Sequence, residues 1–289
     1  MSIYHDKLFQ PTFRIAHTKI FMCDVIWRKV KILAVCVFFN AVVFAQTKEK
    51  ALFKTFISTC NDYKHLPLQL TLDYKKTSNI ILSENDTTAM QGIFSLQQTG
   101  AYINFGGAEQ IISDSVVLIV MEQIKQMVVT KTDIDLTEQI NKMISLPVKD
   151  SSIKALSATY HIEQMFLNKE RGILQIANRQ KVYGTDMPFE LITLEYKVKT
   201  NEPVKIETTK RSLINKTEDA DFKTTAAIVS VKDKGDYWLK EDVTTYLFSS
   251  ITHDENKKIP VRLADRIVKD EEQGFVPVKA YEAYRLVVN

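Results

Sequence analysis

The chain has 289 residues, of which 45% are hydrophobic and 25% are charged, and its formal net charge is +3. This apolar fraction is enough to build a large core and excludes a wholly disordered chain. The three cysteines are too few for a disulfide-stapled scaffold.

The first 45 residues are typical of a secretory signal peptide. The basic patch 28–31 (RKVK) precedes a mostly apolar run of about fourteen residues, and Val43 and Ala45 stand at the minus-three and minus-one positions of a cleavage site. The run is shorter than the roughly 20 residues that span a bilayer. We therefore expect cleavage after Ala45; the alternative is a buried helix or strand near the N-terminus.

Residues 1–21 lack the signal-peptide pattern, and we expect translation to start at Met22.

Removing residues 1–45 brings the net charge of the chain close to zero. Residues 1–45 hold six of the 38 basic and two of the 35 acidic side chains, so residues 46–289 carry 32 basic and 33 acidic groups. A near-neutral chain offers no basic stripe for nucleic acid. Its one cysteine, Cys60, has no internal disulfide partner and is expected to be buried.

The front half of the exported chain changes from a helix to a series of strands. An amphipathic helix is predicted over residues 48–60, and residues 68–74 then alternate apolar with polar side chains at the period of a half-buried strand. The run Val116–Met121 is apolar on both faces and is expected to be a central strand covered on both sides. Short strands with tight connectors, typical of an antiparallel meander, are predicted at 89–98, 101–106, 109–113, 115–122 and 124–131.

The back half contains a second helix and further strands. A capping box at Asp135–Glu138 predicts a helix that ends before Pro147 and carries Leu136, Ile140, Met143 and Ile144 on one face. Residues 260–270 fit either a short helix or a strand. Strands are predicted at 157–168, 173–178, 189–199, 204–210, 224–232, 236–248 and 280–288.

These elements predict a mainly β (α+β) fold with about eleven strands and two or three helices. The simplest arrangement is one large curved antiparallel sheet, a half-barrel, because a twisted sheet curls as strands are added. The helices are expected to cover the concave face of this sheet. Since the sequence contains no biased linker and no internal repeat, residues 46–289 are predicted to form a single domain.

The sequence carries no recognisable catalytic or metal-binding motif. It lacks a Gly-x-Ser-x-Gly elbow, a phosphate-cradling glycine-rich loop and a Cys-x-x-Cys pair. His161 and Glu163 share a face of a predicted strand, but the sequence shows no third ligand nearby. We therefore predict a protein that is not an enzyme and that has no catalytic residue, no metal ligand and no cofactor.

The sheet instead offers apolar side chains that could line a cavity. A curved sheet with helices across its mouth can enclose an apolar ligand, although the same side chains could equally fill a solid core. The predicted ligand-binding residues alternate along three strands and are Phe94, Leu96, Ile103, Phe105, Leu118 and Val120.

The front strands carry a resemblance to a known family. The segments 91–96 (QGIFSL), 100–106 (GAYINFG), 109–120 and 125–129 resemble, in this order, the front half of the outer-membrane lipoprotein carrier and receptor (LolA/LolB-like) superfamily. The resemblance covers residues 48–131. It implies a half-barrel closed by helices and a hydrophobic ligand, such as a lipid or the acyl chains of a lipoprotein.

The resemblance transfers no functional residue. Carriers of this superfamily use an arginine in the front strands to help gate the cavity, whereas residues 66–131 contain no arginine, and the family's Arg-Pro motif is absent. The leading hypothesis is an exported, non-enzymatic protein of the Gram-negative periplasm that binds a lipid or another hydrophobic ligand and has no transmembrane helix after cleavage. The alternative is an interaction module that has a filled core and docks to a partner protein of the cell envelope.

Overall fold

The computed structural model describes residues 48–61, 65–113, 116–131, 153–216, 226–231, 234–272 and 274–289. Glu49–Asn289 forms one compact unit. The predicted signal peptide at 1–45 and the predicted helix that begins at Asp135 lie outside the described residues.

The described part of the chain contains two α-helices and fifteen strands. The helices are α1 (residues 48–60) and α2 (Ile153–Thr159), and no helix in these ranges has both the length and the apolar character needed to cross a bilayer. The strands are β1 (Leu68–Ser78), β2 (Thr88–Gln97), β3 (Gly100–Phe105), β4 (Ala108–Ser113), β5 (Val116–Met121), β6 (Gln126–Lys131), β7 (Tyr160–Phe166), β8 (Arg171–Asn178), β9 (Glu190–Lys197), β10 (Pro203–Asn215), β11 (Ile228–Val231), β12 (Gly235–Thr252), β13 (Ile267–Asp270), β14 (Gly274–Pro277) and β15 (Arg285–Val288).

Thirteen of these strands form one open sheet. Their order is β15-β6-β5-β4-β3-β2-β1-β12-β10-β9-β8-β7, with β11 attached to β12. The strands β1–β6 and β7–β10 are two antiparallel meanders, and the long strand β12 joins them because it pairs with β1 on one side and with β10 on the other. β13 and β14 form a separate hairpin.

The predicted fold class is confirmed, since the protein is mainly β and is dominated by one large curved sheet. Several details of the prediction need correction. Within the described residues the sheet has thirteen strands, against about eleven predicted, and the pair β15–β6 is parallel. Residues 260–270 contain both a 3-10 turn and strand β13. Only Arg285–Val288 of the predicted strand 280–288 is extended, because a 3-10 turn occupies Lys279–Tyr281.

One face of the sheet carries both described helices, and we call it the helix face. The amphipathic pattern predicted for residues 48–60 is confirmed, because α1 turns its apolar side onto the sheet. Among the described residues, the two helices cover the β7–β10 part of this face. The contacting core consists of Leu52, Phe53, Phe56 and Cys60 of α1, Leu156 of α2, and Ile162, Leu174, Ile176, Ile192, Leu194, Tyr196 and Ile206 of the strands.

Over β3–β6, the opposite face of the sheet is covered by the C-terminal segment, residues 259–289. Leu118, Val120 and Met127 of the sheet pack against Ile267 and Tyr284 of this segment. Because Val117 belongs to the core on the helix face, β5 is covered on both sides, as its apolar sequence predicts.

Candidate hydrophobic-ligand site

The structure divides the six predicted lining residues between the two faces of the sheet. Phe94, Leu96, Ile103 and Phe105 lie on the helix face, in the core formed by β1–β5. Leu118 and Val120 lie on the opposite face, beneath the C-terminal segment. The prediction of a single lining that includes Leu118 and Val120 is therefore wrong.

The register of two hairpins explains this division. Ile103 is opposite Gln110, and Gln110 is opposite Ile119, so Ile119 shares a face with Ile103. Neighbouring residues on a strand point to opposite faces, which sends Leu118 to the other side. Because both faces of β5 are apolar, the sequence pattern alone does not reveal which of its residues share a face with Ile103.

Most of the predicted residues on the helix face are fully buried and have no surface available to a ligand. Leu96 is 0% exposed and Ile103 is 1% exposed, so protein atoms surround both side chains. Phe94 is also buried. Phe105 is only half-buried, and it is therefore the one predicted residue on this face with surface left to contact a ligand.

Phe105 belongs to a group of half-buried aromatic side chains on the helix face. The ring centroids of Tyr74 and Phe105 are 5.9 Å apart, and those of Tyr74 and Tyr246 are 5.3 Å apart, both in edge-to-face geometry. Phe248 packs against the same core and is also half-buried. We call Tyr74, Phe105, Tyr246 and Phe248 the aromatic patch.

The pairing of β1 with β12 places the aromatic patch at the junction of the two meanders. Tyr74 is opposite Tyr246 and Leu72 is opposite Phe248, with an irregularity in register between Thr71 and Leu72. Tyr246 and Phe248 pack against both the helix-covered core and the β1–β5 core. The patch therefore lies above the seam between the helix-covered core and the β1–β5 core.

A glycine makes room for two aromatic rings in this region. Gly92 is opposite both Leu72 and Phe105. A Cβ atom on Gly92 would lie 2.7 Å from Cε2 of Phe94 and 2.8 Å from Cδ2 of Phe105. The two rings thus cover bare backbone, and their centroids are 6.2 Å apart.

The aromatic patch is apolar but carries two hydroxyl groups. Burial raises the pKa of Tyr246, and the neighbouring Tyr74 adds a smaller upward contribution to that pKa. The phenol of Tyr246 therefore stays neutral at physiological pH and can donate a hydrogen bond to the polar end of a ligand. This arrangement suits an amphiphile with a long apolar part.

Three of the four patch residues were not among the predicted site residues. Tyr74 ends the alternation predicted over 68–74, and Tyr246 and Phe248 end the strand predicted over 236–248. The alternation signals that these side chains point to one face of each strand. Only the pairing of β1 with β12, which are separated by more than half of the chain, brings them together.

The surroundings of His161 and Cys60 do not indicate a second site. His161 lies between two carboxylates, with Nε2 at 3.1 Å from Oε1 of Glu163 and Nδ1 at 3.4 Å from Oε1 of Glu49. No group of three potential metal ligands occurs in the described ranges. Burial raises the pKa of the Cys60 thiol to about 12, which keeps it protonated and unreactive.

Two solved structures match this chain, at low similarity. One is a LolA superfamily protein from Nitrosomonas europaea, with 8% identity, 72% of this chain and 94% of that chain covered, and a TM-score of 0.24. The other is a domain assigned to outer-membrane lipoprotein sorting from Vibrio parahaemolyticus, with 10% identity, 66% and 86% coverage, and a TM-score of 0.22. This is the superfamily that residues 48–131 resemble, but at these TM-scores no residue role is transferred.

Other comparisons give no match. No protein-family model matches the sequence, and no curated protein matches it. The assignment of a site therefore rests on the geometry of this chain.

Proposed function

We propose that this protein binds a lipid or another hydrophobic ligand on the helix face of its sheet, without catalysing a reaction. The observation that carries the proposal is the aromatic patch, in which four aromatic side chains at the seam of two cores remain only half-buried. Large aromatic side chains dominate the energetics of apolar binding, and a half-buried ring retains surface that a ligand can contact.

Both the location of the protein and the class of its ligand follow from features of the chain. The predicted export signal and the resemblance of residues 48–131 to the LolA/LolB-like superfamily support a location in the periplasm of a Gram-negative bacterium. The aromatic surface supports acyl chains, free or attached to a lipoprotein, as the ligand class. The absence of a recognisable catalytic motif in the sequence is the reason to propose a binding protein and not an enzyme.

Binding of a fluorescent fatty acid tests the proposal. Phe248→Ala removes a patch ring, and its neighbour Leu247→Ala is the matched control, because Leu247 is exposed and points to the opposite face of β12. Loss of an aromatic contact in an apolar site weakens binding by about tenfold or more. We expect this loss for Phe248→Ala and unchanged affinity for Leu247→Ala.

Two results would count against the proposal. A wild-type protein that binds no fatty acid, together with a stable partner protein in a pull-down, would favour the interaction module. Equal affinities of the Phe248→Ala and Leu247→Ala variants would place any bound fatty acid away from the aromatic patch.

A further inference from the structure

Three consecutive large apolar side chains are exposed where β7 ends. Met165 is 46% exposed, Phe166 is 61% exposed and Leu167 is 58% exposed. Single exposed apolar residues are common on protein surfaces, but a contiguous group of them marks an interaction site. We call residues 165–167 the apolar ridge.

The turn that follows the apolar ridge is held by hydrogen bonds. The backbone N–H of Leu167 donates to the carbonyl of Arg171 at 3.0 Å. The side-chain oxygen of Asn168 accepts from the N–H groups of Glu170 at 2.8 Å and Arg171 at 2.9 Å. The apolar ridge is therefore exposed on a hairpin whose turn is held in place by hydrogen bonds.

The ridge presents apolar groups in several directions. Phe166 is opposite Gly172 and points to the helix face, Met165 points to the other face, and Leu167 lies beyond the end of the strand. A protein partner with a fixed surface would contact one side of such a hairpin. A fluid apolar phase can contact all sides at once, which favours a lipid layer as the occupant.

Cationic side chains stand beside the ridge. The N–H of Val198 donates to the carbonyl of Glu170 at 2.9 Å, so the turn between β9 and β10 lies next to the ridge hairpin. Lys169 and Lys199, one on each turn, are exposed, and neither is in an ion pair within the described part of the chain. The other charges of the two turns are the pairs Arg171–Glu195 at 2.7 Å and Lys197–Glu202 at 2.6 Å, and the exposed Glu170.

We propose that the apolar ridge docks the protein onto an anionic phospholipid surface, with residues 165–167 inserted among the acyl chains and with Lys169 and Lys199 at the headgroups. Docking itself does not depend on the proposed ligand binding. Because Phe166 lies on the helix face, docking brings the end of that face to the lipid. Transfer of a ligand between membrane and protein at this point does rest on the proposed function.

Co-sedimentation of the whole protein with phospholipid vesicles tests the inference. The vesicles contain equal parts of phosphatidylglycerol and phosphatidylcholine, with pure phosphatidylcholine as the neutral comparison. The test variant is M165S/F166S/L167S. The matched control is I81S/L82S, which replaces two equally exposed apolar residues in the loop after β1, at the other end of the sheet.

We expect the wild-type protein and I81S/L82S to bind the anionic vesicles equally, and M165S/F166S/L167S to bind at least about tenfold more weakly. K169E/K199E should weaken binding to anionic vesicles and leave binding to neutral vesicles unchanged. The inference is overturned if the wild-type protein does not bind vesicles, as a protein-contact role for the ridge would require, or if the ridge variant binds as well as the control.

Fatty-acid binding by the same variants separates this inference from the proposed function. A wild-type protein that binds fatty acid but no vesicles removes the ridge proposal alone. A wild-type protein that binds vesicles through the ridge but binds no fatty acid removes the ligand proposal alone.

Discussion

The rings of Tyr74 and Tyr246 meet edge to face across the β1–β12 pair, with their centroids 5.3 Å apart and their planes at 62°. Tyr74 comes from the front meander, and Tyr246 comes from the strand that joins the two meanders. This contact therefore links the two meanders at the seam of the sheet and forms part of the aromatic patch above it.

The ring of Tyr246, more than its hydroxyl, is expected to stabilise the seam. Tyr246→Ala should lower the free energy of unfolding by about 2 kcal/mol, because it removes an aromatic pair and leaves a cavity between two cores. Tyr246→Phe retains the ring and should change stability by less than about 1 kcal/mol. Urea unfolding measures both values. Equal losses for the two variants would show that the hydroxyl, not the ring contact, stabilises the seam.

Gly92 is expected to be intolerant of even one methyl group. Gly92→Ala should lower the free energy of unfolding by about 1–3 kcal/mol, because the new Cβ would overlap the rings of Phe94 and Phe105. Combining it with Phe105→Ala removes one of the overlapping rings. The double variant should therefore lose less stability than the two single variants added together, whereas simple additivity would contradict the overlap.

Asp86 is expected to make stability depend on pH in the acid range. Hydrogen bonds from the backbone N–H groups of Leu82 and Ser83 and contact with Lys240 hold the pKa of Asp86 below its ordinary value of 3.8. A pKa lowered in the folded state stabilises the fold above the ordinary pKa, and this contribution is lost as pH falls through the lowered value.

Urea unfolding at several pH values tests this contribution. Asp86→Asn should be less stable than the wild-type protein at neutral pH, and the difference should shrink as the pH falls below 3.8. The exposed Asp186 is the control position, and Asp186→Asn should follow the wild-type curve. A stability difference for Asp86→Asn that stays constant down to strongly acidic pH would rule out this role.

Arg266 is expected to anchor the C-terminal segment to the sheet. Its Nε lies 3.0 Å from Oε2 of Glu109 and its Nη2 lies 3.3 Å from Oε1, in a largely buried pair. Arg266→Ala leaves the Glu109 carboxylate without its cationic partner, which costs about 3 kcal/mol in comparable pairs. Amide hydrogen exchange in Ile267–Asp270 should become faster by at least about tenfold.

The neighbouring Arg262 supplies the control for this experiment. Its side chain is exposed, so Arg262→Ala should leave exchange in Ile267–Asp270 unchanged. Equal protection of that strand in both arginine variants would show that the apolar contacts of Ile267 hold the segment without the ion pair.

Much of the fold could be predicted because its signals are local. The alternation over 68–74 and the short apolar runs up to residue 131 lie in strands that pair with their sequence neighbours, so each turn also fixes a pairing. The parallel strand β15 could not be predicted in this way. Four residues pair with β6 from more than 150 residues away, and no local pattern encodes that contact.

The site was only partly predictable, for the same physical reason. Phe94 and Ile103 share a face because one hairpin relates them directly. Leu118 is one residue out of phase with Ile119, and a sequence that is apolar at both positions allows either assignment. Tyr246 became a site residue only through the pairing of β12 with β1.

Photo-crosslinking with a diazirine-bearing fatty acid tests most directly whether the aromatic patch binds a hydrophobic ligand. After irradiation and proteolysis, the labelled peptides should contain Tyr74, Phe105, Tyr246 or Phe248. Labelling confined to the opposite face, on the peptide that contains Leu118 and Val120, would contradict ligand binding at the patch, as would the absence of labelled peptides at saturating fatty acid.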